Sequence, residues 1–263
     1  MQTTRKSNKI ILTIYNHIYR LVAGWGLLIA LSACNGVMDG IYDDPQQPSQ
    51  GDLYVDATSW TQWHYIKFNS TLNSSLSTLN SQLSTIDIPT TPIAEFDADG
   101  TGIYNYWYDV FGEGMAKHEL RSKYPTIRQP EPDDWDIAIH RNNVRTNGGA
   151  VWQTSLTDIS QVGSSTQYST MPFVEDSWSE MDVWTVQDQM LSGIVGSQRI
   201  KVNTELSKWL AMEIPPMPPA FVHNGNVFIL RLSDGTYAAL RLKNYKTPDG
   251  RNCGMTIEYK YPL

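Results

Sequence analysis

Apolar and polar residues alternate with a period of two in several short stretches of the chain. The 3.6-residue spacing of a helix is rare. In "DWDIAIHRNNVRTNGGAVW" (134–152), Trp135, Ile137 and Ile139 alternate with Asp136, Ala138 and His140, which predicts a half-buried strand. The Asn147-Gly148-Gly149 turn then leads into another strand. In "NVFILRLSDGTYAALRLKNY" (226–245), two such runs flank Asp234-Gly235, a strong hairpin signal. "LYVDATSWTQWHYIKF" (53–68) reads as one or two strands, and "MTIEYKYPL" (255–263) as a last strand with Tyr259 and Tyr261 on one face. The one helical pattern is Leu72, Leu76, Leu79 and Leu83 in a Ser/Thr/Asn-rich run (70–91), which fits a short amphipathic helix and a solvated loop equally. The fold class expected is mostly β: a single antiparallel β-rich domain with few short helices.

The first 34 residues follow another logic. Arg5, Lys6, Lys9 and Arg20 precede the apolar run "LVAGWGLLIALSA", which is short for a membrane span and has signal-peptide polarity. It ends at "LSAC", which resembles a bacterial lipobox; the resemblance implies cleavage before Cys34 and lipid attachment there. Residues 1–33 are then a signal peptide, 34–51 the lipidated cysteine and a flexible Pro/Gln/Gly-containing tether, and 52–263 the folded domain. Asp39, Asp43 and Asp44 in the tether resemble the surface-export signals of Bacteroidetes lipoproteins. Attachment to the membrane is through the lipid anchor only.

Charge narrows the partners. The whole chain carries a net −7. Losing residues 1–33 removes four basic and no acidic residues, leaving 16 basic against 27 acidic, a net of −11. That argues against nucleic acid as a partner. With Cys253 the sole cysteine besides Cys34, there is no disulfide framework and no cysteine-based metal site. Catalytic signatures such as G-x-S-x-G, H-E-x-x-H or a phosphate loop are absent, and the expected role is not enzymatic. His64, His118, His140 and His223 are scattered singly, as structural histidines are. Asp97 and Asp99 in "FDADGTG" read as a plain turn, because the rest of a calcium loop is missing.

The methionines stand apart. Met171, Met181, Met190, Met212 and Met217 fall within 171–217, the least regular part of the chain. "EIPPMPPAF" (213–221) sets Met217 between pairs of prolines, a stiff mount for a flexible side chain. Thioether sulfur is a soft ligand suited to Cu(I) or to haem iron, and a rigid loop reduces the entropy lost on holding it for a ligand.

The lipobox, the "WHYIKF" strand, "DWDIAIHRNNVRTNGGAVW", "LSKWL", "MPPAF", the 226–245 hairpin and "TIEYKYP" together resemble the HmuY family of Bacteroidetes haem-binding surface lipoproteins. The resemblance covers about 53–68 and 134–263; residues 69–130 read as an insertion without a counterpart. It implies an antiparallel β-fold whose loops grip haem through two axial side chains, histidines in some members and methionines in others. "DVWTVQDQMLSGIVG" matches the first ligand loop and "SKWLAMEIPPMPPAF" the second, and neither contains histidine. The resemblance therefore assigns the haem iron to Met190 and Met217, with Met212 the alternative for the second and Met171 a weaker one for the first. It further implies an outer-membrane, surface-exposed haemophore taking haem from host or dietary haemoproteins and passing it to a TonB-dependent outer-membrane receptor. The competing expectations are a surface interaction lipoprotein or a glycan-binding lipoprotein of the same fold without haem.

Overall fold

Strands account for nearly all the regular structure in the computed structural model, which describes residues 52–68, 77–78, 84–85, 102–125 and 131–263. The chain divides into two units, 1–44 and 45–263, and every described residue lies in the second. Cys34 with its signal and tether, the leucines 72, 76, 79 and 83, and Asp97 and Asp99 lie outside the described residues.

The strands are β1 (Asp52–Asp56), β2 (Gln62–Lys67), β3 (Ser77–Thr78), β4 (Ser84–Thr85), β5 (Gly102–Asp109), β6 (Gly114–Pro125), β7 (Ile137–His140), β8 (Asn143–Thr146) and β9 (Ala150–Gln153). There follow β10 (Val174–Glu175), β11 (Ser177–Val186), β12 (Ile194–Val202), β13 (Leu210–Glu213), β14 (Ala220–His223), β15 (Phe228–Arg231), β16 (Tyr237–Lys246) and β17 (Asn252–Lys260). Among the described residues the only helical elements are short 3₁₀ turns. The fold is mostly β, as the alternating pattern predicts.

Three layers hold the core. A six-stranded antiparallel sheet runs β1-β17-β16-β15-β9-β10, and a four-stranded one runs β11-β12-β5-β6. Between them lies the smaller sheet β3-β2-β7-β8, with β4 also pairing β2. One face of this middle sheet sends Ile66, Ile137, Ile139 and Val144 into a core shared with Phe228, Leu230, Leu240 and Ile257 of the six-stranded sheet. Trp63, Tyr65 and Ala138 point the other way, against Ile103, Val183, Ile200 and Val202 of the four-stranded sheet. Burial on this scale drives the layering.

The predicted β15–β16 hairpin forms. Gly235 takes φ +83°, and Asp234 Oδ1 accepts from the Thr236 amide at 2.9 Å. Strand β7 departs from expectation: all four of its residues are buried, so it is not half-exposed. The alternation marks two buried faces. Asp136 is tolerated because it accepts from the Phe68 amide at 2.7 Å and pairs with Lys67 at 3.0 Å. The span 69–130 set apart in the sequence contributes β5 and β6, and β5 is an interior strand of the four-stranded sheet, bonded to β12 and β6. The remaining pair, β13–β14, is a sheet of two that shares no strand ladder with the others.

Candidate functional site

Three connections meet at one end of the four-stranded sheet. Antiparallel pairing places the end of β5 beside the start of β12, with Ile194 opposite Trp107 and Asp109 opposite Gly114. The β5–β6 turn and the β11–β12 loop therefore emerge together. The first contact between them is a backbone bond from the Tyr108 amide to the Gly193 carbonyl at 2.8 Å.

Met190 opens a 3₁₀ turn, Met190–Ser192, within the β11–β12 loop. Gly193 ends that turn in the left-handed conformation at φ +79°, donating its amide to the Met190 carbonyl at 2.9 Å. A side chain at Gly193 would collide with the Tyr108 carbonyl and with the Trp107 indole nitrogen, 2.9 Å from its β-carbon. The loop carrying Met190 is thus clamped to β5. Met217 sits in the proline loop joining β13 to β14, where Met212 opposes Phe221. The base of that hairpin is tied down by His223 Nε2 against the Leu242 carbonyl at 2.7 Å and by the Asn224 amide to the Trp209 carbonyl at 2.9 Å. Its tip leans on the β5–β6 turn at Gly114.

Beneath these loops β5 presents Tyr104, Tyr106 and Tyr108 on one face, each two residues on from the last. Their rings follow one another at 6.3 and 6.0 Å, and Tyr108 continues to Trp184 at 5.8 Å. Burial, with Glu180 nearby, pushes the Tyr106 hydroxyl up to about 12, and burial raises Tyr108 as well. The buried Trp184 Nε1 has no hydrogen-bond partner. Packed against this aromatic floor are Met115, Met181, Met190, Met212 and Met217, all half-buried.

Met190, Met217 and the alternative Met212 are therefore brought to one cluster. Met171 is not among them. It packs with Phe173, Tyr168 and Ile229 on the outer face of the six-stranded sheet. A cavity of about 220 Å³ opens beside the cluster, with Met115 and Met212 on its apolar side and Asn142, Asp182, Ser207 and Lys208 on its polar side. Met190 and Met217 do not line it. Phe111 at the β5–β6 turn and Leu191 next to Met190 stand out in solvent, 71% and 74% exposed. Among the described residues no three of His, Cys, Asp or Glu gather as a metal site; the soft donors gathered on the floor are thioethers, with the single imidazole of His118 5.7 Å from the Tyr106 ring.

Met115 and the tyrosine ladder are missing from the sequence reading. The ladder's signal, Tyr-x-Tyr-x-Tyr in "GIYNYWYD", has the period of a strand face, but it lies in the span set apart as an insertion.

The HmuY family model matches residues 59–259. The chain belongs to the HmuY family. Among solved structures, this chain is similar to a Bacteroides vulgatus protein described as HmuY-like and heme binding. The two share 29% identity over 83% of this chain and 96% of that one, with a TM-score of 0.51. It is also similar to a lipoprotein of Bacteroides fragilis, with 27% identity over 83% and 94% and a TM-score of 0.52. The apo HmuY analog of Tannerella forsythia shares the fold at 20% identity over 84% and 100%, TM-score 0.52. Comparison with curated proteins returned no match. Among the described residues no helix is long and apolar enough to cross a membrane.

Proposed function

We propose that this protein is a haem-binding lipoprotein of the cell surface that holds haem iron between Met190 and Met217 and catalyses no reaction. The observation that carries the reading is the gathering of half-buried methionines from the start of β6, β11, the β11–β12 loop and the β13–β14 hairpin on one aromatic floor. Such a floor suits the faces of a flat tetrapyrrole, and paired thioethers suit its iron. The name of the Bacteroides vulgatus relative supports the ligand, and that of the Bacteroides fragilis relative supports a lipoprotein.

The cavity of about 220 Å³ is smaller than the roughly 300–1,000 Å³ of pockets that hold drug-sized ligands. Haem entry therefore requires the loops to part, and the β13–β14 hairpin, which pairs with no third strand among the described residues, is the element proposed to swing aside. Anchored through Cys34 in the outer membrane, the domain would take haem from host or dietary haemoproteins and yield it to a TonB-dependent receptor. A glycan-binding reading needs an open aromatic platform. The exposed candidate, Trp178, is capped by the Arg199 guanidinium 4.2 Å from its ring centroid.

Methionine ligation raises haem reduction potential, so ferrous haem should be favoured more here than in a histidine-ligated relative. The test is a haemin titration of the purified protein, with spectra before and after dithionite, in wild type, Met190→Ala and Met217→Ala. Saturable binding with a low-spin spectrum lost in both variants supports the assignment. Binding indifferent to both substitutions discards these ligands, and the absence of saturable binding in either redox state discards the function.

A further inference from the structure

Methionine is usually a filler of irregular apolar gaps, and any hydrophobe would serve for that. Packing alone does not explain the composition here. Five of the seven half-buried hydrophobic residues against the tyrosine–tryptophan cluster are methionines, whereas the half-buried residues around the other three clusters include only Met171. Two of the five lie outside the proposed Met190–Met217 pair and share an opening. Met115, from the start of β6, and Met212, from β13, line the same cavity although they lie on different hairpins.

The cavity's charge has a sign. Asp182 lines it, and Lys208, the one cation in the lining, is paired with Glu205 at 2.5 Å. Asp182 follows Met181, itself packed on the cluster, and Ser179 Oγ donates to its carboxylate at 2.6 Å. Two methionines and an aspartate lining one cavity, in a chain of net charge −7, make a donor set for a soft monovalent cation. Hard divalent ions want several oxygens, and borderline ones want imidazole or thiolate.

We propose that Met115 and Met212, with Asp182 supplying charge, form a Cu(I) site distinct from the Met190–Met217 pair. No redox step is involved: copper enters and leaves as Cu(I), and its ligands keep their protonation.

The test is an anaerobic Cu(I) titration of the full chain in competition with a chromogenic Cu(I) chelator, using Ag(I) as a redox-inert second probe. Met115→Leu/Met212→Leu keeps volume and removes both sulfurs. Met171→Leu is the control, and thermal unfolding verifies that each variant is folded. The expected result is one Cu(I) per wild-type chain, with affinity in the double variant down by at least the ~10–100-fold that follows loss of support at a metal site, and Met171→Leu unchanged. Cu(I) binding that survives in the folded double variant, or is absent from wild type, overturns the proposal. A haemin titration of the same double variant separates the two sites: haem bound without Cu(I) leaves the haem reading standing whichever way the copper result falls. Loss of both ligands from a folded double variant overturns the distinctness of the sites.

Discussion

Gly114, at φ +64°, lies against the carbonyl oxygen of Ile214, leaving no room for a β-carbon between the β5–β6 turn and the proline loop. Gly235 offers a control, since it is also left-handed, at φ +83°, but has open space around it. Gly235→Ala should cost only the backbone term, about 1–2 kcal/mol. Gly114→Ala should cost more and also weaken haem binding, because the proline loop must retreat. Thermal unfolding and haemin titration of both variants check this; equal losses would mean the contact has no energetic weight.

Phe111 and Leu191 cover nothing in the free protein, so Phe111→Ala and Leu191→Ala should leave stability within about 0.5 kcal/mol of wild type. Covering a bound macrocycle would bury them, and full burial of such side chains contributes about 1.5–3 kcal/mol each. Each substitution should therefore weaken haem about ten-fold or more while the melting temperature holds. Unchanged affinity would place the ligand away from this end of the sheet.

His140 is buried, with Nε2 donating to the Trp60 carbonyl at 2.9 Å and Nδ1 unpartnered. Burial first, and the neighbouring Arg141 and His64 after it, bring its pKa down from 6.5 to about 4. Between those values the unfolded chain binds the extra proton and the folded chain does not. Stability is thus lost as pH falls from about 6.5 to about 4, by about 3 kcal/mol from this group. His64, lowered by burial too, adds to the same slope. Urea midpoints across that range should fall steeply in wild type and less steeply in His140→Gln.

Cys253 is fully buried, and burial pushes its thiol up to about 11. In a Cys34→Ser chain at pH 8, an alkylating reagent should label Cys253 only as fast as the protein unfolds. Rapid labelling under native conditions would reveal an opening of β17 that the packing does not suggest.

Much of this could be read from the residues because the relevant signals were local. The Asp234-Gly235 hairpin needs only a left-handed turn residue between alternating runs, and it formed as expected. The concentration of methionines in 171–217 is visible in the residues, but the choice of Met190 and Met217 comes from the family resemblance of their two loops; the fold packs both against one cluster. What escaped was non-local. Nothing in "DIAIH" says that a second sheet covers the face that would otherwise meet water, so β7 read as half-exposed. Met115 and the tyrosines of β5 belong to the site only through pairing with β12, some ninety residues away in the chain. Met171 shows the converse: close to Met181 in sequence, it faces another core.

The sheet of two that carries Met217 has a further consequence, for cooperativity. Among the described residues its strands bond to each other and to no third strand, while the loop carrying Met190 is stitched to β5. A short pair held mainly at its base can open without disturbing any longer ladder. In hydrogen exchange the amides of 211–222 should trade with solvent well before those of β5 and β12, and a bound ligand should slow the first group far more than the second. One jaw would then be part of the global fold and the other a separately melting unit, so that capture and release need no unfolding of the core.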